Sequence, residues 1–385
     1  MWGRSSAGWA CALLIFCAPP ALRAQTSSRE QFDDLSRRAQ AALETHPGQA
    51  IQLFQQALAI RSDWAEGYLY MGAALYELRR YAEATDALRK GLDLAPVFAN
   101  GWALLGLCES ELDDADQALA DIRKSEEMGL GGNVPFESAV RVRAAQLLVR
   151  SSAFDEALSQ LQPLTKYPNE PAPVEEAMGL CALASPDDPT ALKPERRAVV
   201  DLAGHAAWSF ATQHPDVAAA AYKQLLAQYP REPGVHYAYG LFLLETDTRA
   251  ALAEFQQEVQ NNPKHWPAML VMATLQIRQG TPEKAMETVR AGIKDVPPRY
   301  RWLCHMNLGR ADLDADNATA AVGELEAALR QMPSNPSVHY FLAEAYRNAG
   351  RKADADREKT EFEKLKGQQD PLGVPALHPF GNSVK

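Results

Sequence analysis

Small residues recur along this chain at a fixed interval, and that interval constrains the fold more than any other feature. Gly72 is followed twelve positions later by Ala84, Gly106 by Ala118, and Ala145 by Ala157. Ala273 leads to Ala285, Gly309 to Ala321 and Ala343 to Ala355 at the same spacing of twelve. The unit returns after 34 residues from Gly72 to Gly106, 36 from Ala273 to Gly309, and 34 from Gly309 to Ala343. Large apolar residues such as Met71, Leu75, Leu88, Leu105 and Ile122 keep fixed offsets from the small ones. Residues three and four apart share one helix face. The pattern therefore predicts two amphipathic helices per unit, crossing where the two small residues meet. A proline near the unit's end, at Pro96, Pro297 and Pro333, stops the second helix. One such pair cannot bury its apolar face alone, so successive units must stack.

This arrangement resembles the tetratricopeptide repeat family. Trp102, Leu105, Gly106, Ala118 and Ile122 carry the resemblance in one unit. Leu308, Gly309, Ala321, Leu325, Ala328 and Pro333 carry it in another, and it extends over residues 31–366. The resemblance implies an all-α fold, a right-handed α-solenoid of about nine to ten helix-turn-helix units with a concave groove. Some segments depart from the pattern. The unit at Ala203-Gly204 reaches Ala218 through a turn about two residues longer, and Tyr239-Gly240 reaches Ala251 through one residue fewer. Residues 169–194, interrupted by Pro186, Pro189 and Pro194, read as an irregular joint around a helix at 174–184. That leaves an N-terminal repeat stretch over 25–168 and a C-terminal one over 195–366. Gly129-Leu130-Gly131-Gly132 marks a further loop, and 367–385, with three Pro and three Gly, reads as a flexible tail.

The first residues do not fit the repeat. Arg4 precedes an uncharged apolar stretch at 7–18, and Ala21-Leu22-Arg23-Ala24 ends on a small residue. This is the three-part pattern of a secretory signal peptide over 1–24, cleaved after Ala24. Its apolar stretch falls well short of the roughly 20 residues that span a bilayer, and nothing later reads as a transmembrane run. The expected location is periplasmic or extracellular, soluble after cleavage. Beyond the leader remain Cys108, Cys181 and Cys304. An odd number in apolar helical surroundings reads as small buried hydrophobes, not as a disulfide framework. The net charge of −10 sets the chain against a nucleic-acid partner.

No catalytic constellation emerges. There is no glycine-rich phosphate loop, no Gly-x-Ser-x-Gly elbow and no His-Glu-x-x-His. No metal site or cofactor is expected. His236, His305 and His339 fall at equivalent fourth positions of three units and read as packing residues. Asp312, Asp314 and Asp316 imitate the start of a calcium loop, but Asn317 and Gly323 stand where its glycine and closing glutamate belong. The better reading puts Asp312 on a helix and Asp316-Asn317 in the following turn.

The family resemblance also implies which residues face the groove. Carried onto this chain they are Glu66, Tyr76, Asn100, Gln146 with Arg150 beside it, His205, Trp208 and Tyr237. Further along come Thr274 with Arg278 beside it, Arg310, Tyr340, Glu344 and Arg347. Aromatics with arginine are typical binding anchors. The lysine/asparagine clamp of chaperone-binding members is missing from these positions, so recognition of an acidic C-terminus by that route is not expected. The leading expectation is a non-catalytic scaffold that binds a protein or extended peptide, in envelope assembly or secretion. A narrower alternative is a subunit of exopolysaccharide export that contacts a glycan or a membrane partner. An enzyme on a helical scaffold is the third. Export is directly testable: N-terminal sequencing of the envelope-localised protein should begin at or near Gln25, and an intact Met1 in the cytoplasm contradicts it.

Overall fold

The computed structural model describes residues 20–131, 133–167 and 171–366. The apolar stretch of the expected leader and the expected tail lie outside the described residues. Among those described, every regular element is helical. The chain divides into two compact units, Met1–Gly131 and Gly132–Lys385. In the first, α1 (Pro20–Ala42) pairs with α2 (Pro47–Ile60), α3 (Ala65–Glu77) with α4 (Tyr81–Leu94), and α5 (Ala99–Glu111) with α6 (Ala115–Glu127). In the second, α7 (Val134–Arg150) pairs with α8 (Phe154–Leu161). Next, α9 (Pro171–Ala182) packs on α10 (Pro194–Ala211), which also pairs with α11 (Pro215–Gln228). Four more pairs follow: α12 (Val235–Leu243) with α13 (Thr248–Asn261), and α14 (Trp266–Arg278) with α15 (Pro282–Gly292). The last are α16 (Arg301–Asp314) with α17 (Ala318–Gln331), and α18 (Pro336–Asn348) with α19 (Lys352–Leu365). This is the tandem helix-pair architecture of an α-solenoid, seen within each unit.

The twelve-residue spacing has a backbone cause. Seven positions after the small residue, the chain turns through the left-handed region at Arg79, Asp113, Ser152, Gln213, Gly280, Asp316 and Gly350, with φ between 57° and 76°. The residue after each donates its N–H five positions back, from Arg80 to Leu75 O and from Asn317 to Asp312 O, for example, at 2.8–3.0 Å. That is a Schellman closure, which satisfies carbonyls left over at a helix end. It fixes the turn length and hence the register in which the second helix returns. Asp312 accordingly lies on α16, and Asp316 is the left-handed turn residue.

The closure also corrects one repeat. Gln213 lies seven residues after Ala206, and Ala206 precedes Ala218 by twelve; both alanines are buried. That unit is therefore regular, with no lengthened turn, and Ala206 is its small residue. Gly204 has a different job. A Cβ on Gly204 would fall within 3 Å of Glu175 O, and one on Gly179 within 3 Å of Val200 O. Here α9 and α10 touch backbone to backbone. The helix expected within residues 169–194 is α9, packed against α7, α8 and α10. The two compact units divide between Gly131 and Gly132.

The other small residues sit as the spacing requires. A Cβ on Gly72 would meet the Leu88 side chain, on Gly106 the Ala118 carbonyl and Ile122, and on Gly309 the Leu325 side chain. Ala84, Ala118, Ala145, Ala157, Ala273, Ala285, Ala321 and Ala355 are buried, whereas Ala343 is half-buried.

Two alanine substitutions separate these roles. Gly204→Ala should lower stability by about 1–3 kcal/mol or more through overpacking, since the obstacle is backbone. Gly323→Ala, on α17 with nothing within 4 Å of its Cβ position, should raise stability by up to about 1 kcal/mol through helix propensity. Urea midpoints check both, and a neutral Gly204→Ala would show that α9 and α10 are not in backbone contact.

Candidate functional site

Pro96, Pro230 and Pro333, just after the second helices α4, α11 and α17, offer carbonyls to the next unit. Side-chain N–H groups six residues on collect them: Trp102 Nε1 donates to Pro96 O at 2.8 Å, and His236 Nε2 and His339 Nε2 reach Pro230 O and Pro333 O at 2.9 Å. The opposite ring nitrogens engage acids on the paired helix. His236 Nδ1 is 2.6 Å from Glu254, His305 Nδ1 2.7 Å from Glu324, and His339 Nδ1 2.8 Å from Glu358. His236 and His339 thus tie their pairs to the preceding turn, and His305 bonds within its own pair. For His236, burial works against the charged ring, but Glu254 and the Pro230 carbonyl outweigh it and leave the pKa raised.

In the first unit, the groove candidates are modest. Glu66 is exposed, Tyr76 is half-buried with its ring edge on Tyr81 at 5.6 Å, and Asn100 is half-buried. The Asn100 Oδ1 atom is shielded and finds no hydrogen-bond partner among the described residues. On the inner side of α5, Glu109 is buried and bonds Arg89 at 2.9 Å. Burial and the nearby Asp121 push the Glu109 carboxyl pKa up to about 7 against the pull of Arg89.

The second unit overturns part of the sequence reading. Trp208 is 7% exposed and Tyr237 only 3%. Neither faces an open groove. Around Tyr237 the space is taken by the chain's own segment 177–185, buried at every position. Its Leu183 carbonyl accepts from His265 Nε2 at 3.2 Å and lies so close to Gly234 that a Cβ there would overlap it. Gly234 itself has φ +87°, and its N–H donates to the buried Glu258 at 2.9 Å. Tyr237 is then sealed between Phe255 and the His265 ring, with centroids 5.9 and 4.8 Å away. Burial also pushes the Tyr237 phenol and the Cys181 thiol pKa values up. Arg196 fastens the end of the segment through Ser185, Asp187 and the Pro233 carbonyl.

A second contact closes the same region. The Tyr300 hydroxyl donates to Asp155 at 2.9 Å, across 145 residues of sequence, and Arg299 pairs with Glu156. Phe154, Trp266 and Tyr300 stack in a row, with centroids 6.4 and 4.9 Å apart. The first turn of α8 therefore rests on the start of α14 and the turn before α16. Sequence reasoning missed this filling. The available signal was the run Ala-Met-Gly-Leu-Cys-Ala-Leu-Ala at 177–184, apolar on all sides as only a buried segment is. Of the remaining candidates here, Gln146 is half-buried, Arg150 is exposed at the end of α7, and exposed His205 sits 3.5 Å from Glu175.

Beyond this filled region, the face shared by α14, α16 and α18 carries an unpaired charge. Thr274 on α14 donates to Asn307 on α16 at 3.2 Å, marking the seam between them. Arg278 and Arg310 follow these residues by one helical turn. Arg310 lies over Phe341 of α18 at 4.8 Å. Next to it the Tyr340 ring, 41% exposed, leans on Phe341 and on Phe362 of α19. Glu344 and Arg347 pair with each other at 3.2 Å. Arg310 and Tyr340 thus both contact the Phe341 ring.

Comparisons with known proteins match this architecture in part. A family model described as tetratricopeptide repeat matches residues 210–248 and 306–355, supporting the repeat family at α11–α12 and α16–α18. No curated protein matches the chain. Among solved structures, MamA from Desulfovibrio magneticus RS-1 aligns at 16% identity over 47% of this chain and 99% of its own, with a TM-score of 0.40. Yeast Tom70 aligns at 13% identity over 91% and 79%, with a TM-score of 0.37. YrrB, titled a TPR protein with an unusual peptide-binding site, aligns at 18% identity over 56% and 95%, with a TM-score of 0.32. Likenesses at these scores say nothing about what this chain binds.

Proposed function

We propose that this chain is a non-catalytic scaffold that binds a protein or an extended peptide along the face shared by α14, α16 and α18. It does so after export, in envelope assembly or secretion. Stacked helix pairs present rigid, extended surfaces suited to that task. The observation that carries the reading is the half-open row of Arg310, Phe341 and Tyr340 across successive first helices. Support for export comes from the charge and apolar pattern of residues 1–24. Among the described residues no helix is long and apolar enough to cross a membrane. The non-catalytic part of the reading rests on the sequence, which offers no nucleophile–base or acid–base constellation.

Panning random displayed peptides against the chain without its leader tests the reading. Peptides should enrich, and Tyr340→Ala should weaken the enriched binders several-fold or more, as removal of an aromatic anchor does. Because Tyr340 is substantially exposed, the melting temperature should move little. No enrichment contradicts the reading, as does a Tyr340→Ala loss of binding that merely tracks a large fall in melting temperature.

A further inference from the structure

Several arginines on this chain are matched by acids. Arg89 meets Glu109 at 2.9 Å, Arg141 meets Glu137 at 3.0 Å, and Arg196 meets Asp187 at 2.9 Å. Arg310 differs. It is half-buried and stacked on Phe341, and no acid or carbonyl of the described residues lies within ion-pair or hydrogen-bond distance of its guanidinium. Its nearest charged company includes a second cation. Burial and the neighbouring Arg278 both push the Arg310 pKa down, and Asp314 opposes them only in part. Arg278 is exposed, stands one turn beyond the Thr274–Asn307 seam, and likewise has no acid in ion-pair distance among the described residues.

Two like charges held together, one of them partly desolvated, are unfavourable unless an anion joins them. The five donors of a guanidinium remain available on a face whose stacking already fixes the Arg310 plane. The chain as a whole carries a net charge of −10, so attraction for an anion here is local rather than a property of the surface field. Immediately beside the pair, Tyr340, Phe341 and Phe362 form a continuous aromatic patch. We propose that Arg278 and Arg310 form a binding site for a side-chain carboxylate of an acidic peptide segment, with a large apolar residue of the same segment packing on Tyr340. The proposal deepens the peptide-binding reading and rests on it for the identity of the ligand as a peptide. Specificity follows: an acid adjacent to an apolar residue satisfies both halves of the site, whereas a basic segment would add a third positive charge.

The test uses two fluorescein-labelled octapeptides with amidated C-termini, one with glutamates flanking a central leucine and one with glutamines in their place. Anisotropy titrations of the chain without its leader should show the glutamate peptide binding at least about ten-fold more tightly at low salt, with the advantage shrinking as salt rises. Arg310→Gln and Arg278→Gln should each weaken the glutamate peptide about five-fold or more and leave the glutamine peptide nearly unchanged. Arg310→Lys should restore part of the loss, and melting curves of all variants guard against general unfolding. Equal affinity for the two peptides, or a glutamate advantage that survives in the double Gln variant, overturns the proposal. Binding of inorganic phosphate to the pair without binding of the glutamate peptide also overturns it, because the ligand is then a phosphate. If panned peptides bind but ignore both arginines, the scaffold reading stands and this site falls.

Discussion

Two helices can cross with their backbones nearly touching only where neither carries a bulky side chain, and everything else in this chain is arranged around such crossings. Gly72, Gly106 and Gly309 meet the second helix of their pair at distances that leave no room for a Cβ. The Schellman turn seven residues on returns the chain so that a small residue arrives opposite. Close crossing then lets Leu88, Ile122 and Leu325 fill the space beside the small residues, and these side chains are almost wholly buried. Pair stacks on pair because each leaves an apolar face that only a neighbour can cover.

Much of this was legible in the sequence, for a physical reason. The twelve-residue interval is set locally, by helix pitch and one closed turn, so it survives as a pattern of residue types. The misreading at Gly204 has a cause of the same kind. Gly204 is small and near the expected place, but its smallness serves the contact with Gly179 on α9; the left-handed turn at Gln213 identifies Ala206 as the true repeat position. Trp208 and Tyr237 were assigned to an open face because a repeat-position rule assumes that nothing fills the inner side. Segment 177–185 fills it, together with contacts such as Tyr300 to Asp155. Contacts between residues 145 apart leave no trace in local periodicity. The Arg310–Tyr340 grouping was legible because it depends only on equivalent faces of neighbouring first helices.

Polar groups follow the same division between local and distant causes. The histidine contacts to Pro230 and Pro333 are repeat features, six residues apart in each case, and Trp102 makes the equivalent bond to Pro96. By contrast, Glu258, His265 and Arg196 lie on other elements and bond Gly234, Leu183 and Ser185, at and beside the filling segment. Buried polar groups of this kind are costly when unpaired, and their concentration around 183–187 marks where the stack has been specialised. Arg310, stacked on Phe341 of α18, has no acid within ion-pair distance among the described residues, which fits a division of labour. One part of the second unit is sealed by its own chain, and the next presents a charged and aromatic surface outward.

Closure through α8 and the turn before α16 adds a long-range contact to the filled region of the second unit. A double-mutant cycle of Asp155→Ala and Tyr300→Phe, read as urea unfolding free energies, measures that closure directly. Direct contact predicts a coupling of about 0.5–3 kcal/mol between the two changes. Additivity within about 0.3–0.5 kcal/mol, the behaviour of independent sites, would mean that the two segments do not touch and that this long-range closure is absent.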